Sequence, residues 1–202
     1  MPTLSMRVLQ EQINDLRNEI AVLKATSKSI NLLEGLGIGD TFELVDTTWK
    51  ILDITSAGYI CLADNIEDME FDSNSNNWEN SSLRDYLNEE FLEKIAAEIG
   101  LENIVPFERD LLSLDGQTEY GKCEDKFSLL TVDEYRKYRS LIPNTKDYWW
   151  WLISPWSTPC NDYKRTVAVV SSAGYVRSND CNISVGVRPV CIFSSSIFES
   201  GD

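Results

Sequence analysis

The sequence predicts an α+β protein: a domain of short antiparallel strands and two helices, preceded by an N-terminal coiled-coil helix. Three observations predict it. Apolar residues step by three and four from Met6 to Leu23, the period of a helix with a narrow apolar seam. Short runs rich in β-branched and aromatic residues, bounded by Gly, Ser, Asn and Asp, recur between Thr41 and Leu62 and again near the C-terminus, as strands do. Between them the segment from Leu83 to Ile99 returns to a helical step of four.

The N-terminal seam reads as a heptad repeat, with Met6, Ile13 and Ile20 at position a and Leu9, Leu16 and Leu23 at position d. Gln12, Arg17, Glu19 and Lys24 flank it at g and e. A helix of about three heptads is marginal alone in water, so its stripe needs a partner. That partner is another copy of the chain, as dimer or trimer through residues 6–24, or the helix folds back on its own domain. Residues 1–30 are therefore assigned to a coiled-coil oligomerisation stem and 31–202 to the domain, with a Ser- and Gly-containing linker from Thr26 to Ile38.

Thr41 to Val45, Trp49 to Ile54 and Tyr59 to Leu62 read as a strand meander, the last two joined at Ser56-Ala57-Gly58. Asp64 to Asn77 is acidic and Asn-rich. Its Asp72-Ser73-Asn74-Ser75-Asn76 run imitates the start of a calcium loop, but Asn77 stands where glycine is required and Leu83 where glutamate is. A solvated loop is the expectation there. Asn80, Ser81 or Ser82 caps a helix whose apolar face is Leu83, Leu87, Phe91, Ile95 and Ile99, and Gly100 stops it. Leu101 to Lys126 reads as irregular, with a turn at Asp115-Gly116. Thr131-Val132-Asp133-Glu134 is a capping-box sequence opening a short helix that ends before Pro143.

Tyr148, Trp149, Trp150, Trp151 and Trp156 form the densest apolar window of the chain. A strand alternates its side chains, which sends Trp149 and Trp151 one way and Trp150 the other, so both faces should be covered. From Ser157 to Ser184 the chain is small and polar, interrupted by one apolar strand, Thr166 to Val170. The loops on either side of that strand are where function is expected, since loops on rigid scaffolds carry recognition; surface turns share the same residue types.

The chain has 202 residues, 43% hydrophobic and 25% charged, enough for one sizeable core. A net charge of −15 argues against nucleic acid as partner and suits a cationic partner or simple solubility. No apolar run reaches the length of a membrane span, and the N-terminus lacks the apolar stretch of a signal peptide. Neither membrane insertion nor Sec export is expected, which favours a virion or the cytoplasm over Sec secretion and leaves the location, a cell surface included, open. Histidine is absent, removing the commonest general base and most zinc sites. Cys61 and Cys191 read as buried thiols, while Cys160 and Cys181 are either a loop-closing disulfide or reduced. No motif singles out a catalytic pair of carboxylates. Arg188 reads as a scaffold residue pairing with a buried acid, the alternative being an anion ligand. No enzyme, metal or cofactor is expected.

Trp150-Trp151-Leu152-x-Ser154-Pro155, then Val167-Ala168-Val169 followed by Gly174, then Gly186-Val187-Arg188-Pro189, resembles a bacterial and phage family of uncharacterised domains with a WWLRSP and GVRP signature. The segments Trp78 to Asn88 and Lys126 to Thr131 are similar to it as well. Ile153 replaces the family's usual arginine and Trp156 its usual glycine. The resemblance, over roughly Gly39 to Phe193, implies a C-type-lectin-like fold related to formylglycine-generating enzymes. It implies a ligand-binding protein, a structural or assembly protein of a phage or surface complex, or a copper-dependent oxidase relative, for which no cysteine pair aligns. Some proteins of this fold are targets of diversity-generating retroelements, which randomise adenines near the gene's 3′ end. Asn161, Asp162 and Tyr163 and the run Arg177 to Ser184 are all reachable from AAC codons by adenine changes. The expected ligand-binding residues are Trp156, Asn161, Asp162, Tyr163, Tyr175, Arg177, Ser178, Asn179, Asp180 and Asn182, facing a protein or glycan on a cell surface.

Overall fold

The computed structural model describes residues 8, 11–18 and 33–198. Residues 11–18 are helical (α1), and Ile13 and Leu16 on them are exposed at 37% and 56%. The other seam residues, Met6, Leu9, Ile20 and Leu23, lie outside the described residues, as does most of the expected linker. Among the described residues no helix is long and apolar enough to cross a membrane.

The meander forms as the β-rich runs predict: β1 (Thr41–Leu44), β2 (Thr47–Thr55) and β3 (Gly58–Ala63) pair antiparallel in sequence order. Val45 and Asp46 close the first hairpin with φ of 52° and 56°, the left-handed pair that a two-residue turn needs to match the strand twist. Gly58 opens β3 at φ 136°, where a Cβ would sit 2.2 Å from the carbonyl oxygen of Phe193, so only glycine fits. After β4 (Asp68–Met69) the expected helix is split into α2 (Ser82–Asn88), capped by the Ser81 side chain, and α3 (Glu90–Ile99), ended by Gly100 at φ 85°. Leu83, Leu87, Phe91, Ile95 and Ile99 are all buried as expected. The break falls beside Asn88, whose amide is drawn off to Phe127: its Nδ2 donates to that carbonyl at 2.8 Å and its Oδ1 accepts from that residue's N–H at 3.1 Å.

The segment expected to be irregular holds strands instead. β5 (Ile104–Val105), β6 (Phe107–Asp110) and β7 (Lys122–Asp125) lie in it and β8 (Phe127–Ser128) directly follows it, with β6 and β7 paired as a separate ribbon. Alternating polar and apolar residues in so short a run carry no strong period. The capping box at Thr131 and Glu134 is present, opening α4 (Val132–Lys137). The Glu134 carboxylate also grips the buried Arg109 guanidinium through two bonds of 2.6 and 2.7 Å.

β9 (Trp150–Pro155), β10 (Thr166–Val170), β11 (Val176–Asp180) and β12 (Val185–Gly186) follow, and β13 (Val190–Phe193) closes the described strands. One sheet runs β1-β2-β3-β13-β5, with β8 also against β13; the other runs β11-β10-β9-β12-β4. All pairings are antiparallel except β12 with β9. The architecture is thus α+β with mostly antiparallel sheets, and among the described residues of the domain there are three α-helices where two helices were expected. β9 is buried throughout: Trp151 and Ile153 face one apolar cluster with Phe71, Trp78 and Val169, Trp150 and Leu152 the other with Tyr135, Tyr138 and Val190. The expectation of cover on both faces holds. Trp149 departs from it, being 40% exposed and outside the strand.

The chain passes from the second sheet to the first at Val187-Arg188-Pro189, between β12 and β13. This crossover is strapped to the end of β3: Ala63 N–H donates to the Pro189 carbonyl at 2.8 Å, and Arg188 Nε to the Ala63 carbonyl at 3.0 Å. Arg188 is a scaffold residue in that sense, but its acid is not buried: Asp64 stands 3.7 Å away with its side chain 63% exposed. All five cysteines are free, with Cys61, Cys181 and Cys191 buried and Cys160 exposed, so the Cys160–Cys181 bridge is not formed.

Candidate functional site

The loop from Trp156 to Arg165 joins β9 to β10. Pro159 starts a 3-10 turn through Asn161, and Asp162 leaves it in the left-handed region at φ 61°, a conformation aspartate tolerates. Two polar staples fix the loop. The fully buried Asn76 amide donates to the carbonyls of Ser157, Tyr163 and Thr166 at 2.8, 3.1 and 2.9 Å. Its Oδ1 accepts from the Tyr120 hydroxyl at 2.6 Å, and its backbone N–H donates to the Lys164 carbonyl at 2.8 Å. Burial pushes that Tyr120 hydroxyl up to about 12.

The second staple is Asp115. Its carboxylate accepts from the Ser113 hydroxyl at 2.5 Å, the Ser157 hydroxyl at 2.6 Å and the Asn161 amide at 2.9 Å. These donors, Ser113 first and Ser157 next, hold the carboxyl down at about 2. The Asp115-Gly116 turn read from the sequence is therefore also an anchor. Nearby, Glu119 accepts from the Cys160 backbone N–H at 3.4 Å, and hydrogen bonding to that carboxylate raises the Cys160 thiol above its usual value.

Trp156, 39% exposed, walls an open hollow of about 450 Å³ with Leu114, Asp115, Arg136 and Val176. Asn161 joins this rim through its bond to Asp115. Tyr163 and Tyr175 present their rings to solvent, at 50% and 61% exposure. The expected loop from Ser171 to Ser184 is corrected: Arg177, Ser178, Asn179 and Asp180 form β11, the edge strand of the second sheet. Its apolar partner β10 supplies the ladder, with Arg177 opposite Val169, Ser178 opposite Ala168 and Asn179 opposite Val167. A strand sends alternate residues to opposite faces. Ser178 and Asp180 thus share the face of Val176 and the hollow, while Arg177 and Asn179 take the other face. Tyr175 goes with the second group, its ring 5.3 Å from the Arg177 guanidinium carbon. Asn182 is exposed in the turn beyond β11, and Asp162 is exposed at the tip of the other loop. Trp156 and Asn161 thus border the hollow, whereas Tyr175, Arg177 and Asn179 lie on the other face of β11.

Asn76, Leu114, Asp115, Arg136 and Val176 shape the surface without having been expected there. Asn76 lies in the segment read as solvated, and nothing in its neighbours distinguishes it from the exposed asparagines beside it. Asp72, which imitates a calcium ligand, spends its carboxylate on the N–H groups of Asn74, Ser75 and Ser82. Among the described residues no group of three or more His, Cys, Asp or Glu side chains is placed to hold a metal ion.

Residues 111–195 match a family model described as a domain of unknown function, DUF6273. The matched stretch takes in β7 to β13, Asp115 but not Asn76, and every expected ligand-binding residue. Neither a search of curated proteins nor a search of solved structures returns a match.

Proposed function

We propose that this chain is a ligand-binding protein rather than an enzyme, displaying a variable surface on a C-type-lectin-like scaffold, and that it is a diversity-generating-retroelement target of phage or bacterial origin. The observation that carries the reading is the pairing of exposed aromatic residues with buried polar anchors. Trp156 and Tyr163 stand out from a loop whose backbone is pinned by Asn76 and Asp115. Rigid aromatic side chains on a preorganised loop lose little entropy on binding a protein or glycan surface.

Two groups of this region are set away from general-base and nucleophile duty, which favours binding over catalysis. Asp115, held near 2, is a weak base near neutral pH, and the thiol of Cys160 is held in its neutral form by Glu119. An oxidase of the formylglycine-generating type has less support: Cys181 and Cys191 are buried and Cys160 is exposed. The exposed Ile13 and Leu16 of α1 fit a coiled-coil dimer or trimer, which would multiply a weak single-site affinity.

Sequencing the 3′ end of the gene and its flanks across a population tests the reading. Substitutions confined to adenines in the codons for Asn161 to Tyr163 and Arg177 to Ser184, beside a near-copy repeat and a reverse transcriptase gene, are the expected result. An invariant 3′ end overturns the diversified receptor and leaves an assembly protein or a binder of one fixed partner.

A further inference from the structure

We propose that the cavity beside the sheet-to-sheet crossover binds a small monoanionic carboxylate, with the Arg188 guanidinium as its ligand. The cavity, of about 320 Å³, is bounded by Lys50, Leu62, Asp64, Asn144, Tyr148 and Arg188 among others. It shares no residue with the Trp156 hollow, and the inference does not rest on the function proposed above.

Arg188 is the reason for the assignment. Its side chain is only 6% exposed. Nε is spent on the Ala63 carbonyl, and the guanidinium carbon lies 5.1 Å from the Trp150 ring centre, which fixes the plane of the group. The two Nη groups make no hydrogen bond among the described residues, and they are not among the polar atoms sealed away without a partner. Arginine stays protonated at any ordinary pH, so this is a desolvated cation with its paired donors left over. The acid that pairs with it among the described residues is a weak answer: Asp64 is 3.7 Å from Nε, mostly exposed, and already accepts the Tyr148 hydroxyl at 2.6 Å. A buried charge without full pairing is the condition that a bound counter-ion relieves.

The other walls suit an oxyanion as well. Lys50 gives one donor of its ammonium to the Gly39 carbonyl at 2.9 Å, leaving two. The Asn144 oxygen accepts from Arg139 at 2.5 Å, which turns its NH₂ group into a donor for the cavity. Charge then selects the class of ligand. Arg188 and Lys50 against Asp64 leave one net positive charge, the complement of a carboxylate rather than of a dianionic phosphate. The planar guanidinium fork matches a carboxylate with two parallel bonds. The half-buried Tyr148 supplies an apolar wall. At ~30 Å³ per water the cavity holds roughly ten waters, so a benzoate-sized acid fills it better than acetate.

Calorimetry and ¹H–¹⁵N NMR titration of the full chain with benzoate, acetate, benzamide and inorganic phosphate test this. Saturable benzoate binding that shifts the amides of Ala63 and Arg188 is expected, with benzamide and phosphate weaker by about tenfold or more. Arg188→Lys keeps the charge and loses the fork, and should weaken benzoate by about tenfold. Lys50→Gln should weaken it by a smaller factor, and it keeps the test decisive if Arg188→Lys does not fold. The proposal is overturned if benzoate shows no saturable binding, if benzamide or phosphate binds as well as benzoate, or if a folded Arg188→Lys or Lys50→Gln variant binds benzoate unchanged.

Discussion

The Arg188 guanidinium carbon lies 5.1 Å from the centre of the Trp150 ring, and Gly186 two residues earlier pairs with Trp150 across the parallel ladder. The two signature blocks of the sequence are thus one structural unit, the place where the chain crosses between sheets. A Cβ on Gly186 would come within 2.8 Å of the Tyr148 ring and 3.0 Å of the Trp149 carbonyl oxygen. Gly186→Ala should therefore cost about 1–3 kcal/mol through overpacking. Trp150→Ala, emptying a fully buried site, should cost about 3–5 kcal/mol. Chemical denaturation with an unchanged m-value checks both, and a Gly186→Ala variant as stable as the parent would show that the crossover is looser than its contacts imply.

Asn76→Ala removes the side-chain donor of the Ser157 and Tyr163 carbonyls in the loop, while the Thr166 carbonyl keeps the Trp156 N–H. Leaving such groups without partners costs about 1–3 kcal/mol, and the loss should appear locally first. Amide exchange is expected to quicken across residues 157–166 while the amides of β2 and β3 hold their protection. Uniform loss of protection would mean that Asn76 supports the whole fold and not the loop.

Asp115 gives the loop a pH dependence whose sign follows from its depressed pKa. The carboxyl sits at about 2 in the folded chain against an ordinary 3.8. The contribution of its hydrogen bonds is complete above the ordinary value and is lost as pH falls from 3.8 towards 2. NMR titration should find the resonances of Ser113, Ser157 and Asn161 moving together in that window. Asp115→Asn should abolish this titration, and a midpoint near 4 in the parent chain would show the carboxylate to be unbound by its neighbours.

Trp156, Tyr163 and Tyr175 are surface rings, so replacing each by alanine should change stability by no more than about 0.5 kcal/mol. Under the recognition reading these same changes weaken adhesion of the labelled protein to intact host cells. A variant that melts far below the parent places its ring in the core. Variants that melt and adhere like the parent make the surface inert and favour an assembly role.

What was legible in the sequence had a period or a fixed chemistry. Leu83 to Ile99 repeats every fourth residue and Thr131 with Glu134 is a reciprocal cap, and both elements formed where expected. The split at Glu89 was not legible because it depends on Asn88 reaching Phe127, a contact far along the chain. β11 reads as loop in the sequence for a related reason. Val176-Arg177-Ser178-Asn179-Asp180 has turn composition, and it is extended only because the apolar β10 offers it a ladder. The same holds for the site: exposed Trp156 could be chosen by residue type, whereas Asn76 and Asp115 owe their roles to tertiary position alone.

The N-terminal helix yields the last prediction. Ile13 and Leu16 occupy an a and a d position, and both are exposed on α1 at 37% and 56%. Apolar groups at those positions are worth burying against a second copy, since a helix this short gains little from its own hydrogen bonds. Ile13→Asp with Leu16→Asp places two charges in the seam, a change that a coiled coil tolerates poorly and a solvated helix barely registers. Sedimentation of the full chain should give a mass two or three times that of one chain, falling to a single chain in the double variant with the melting of the domain unchanged. Equal masses for parent and variant would sink the stem, and with it the avidity invoked for weak single-site binding. A single-chain mass for the parent together with a lowered melting temperature for the variant would mean instead that the helix packs against its own domain.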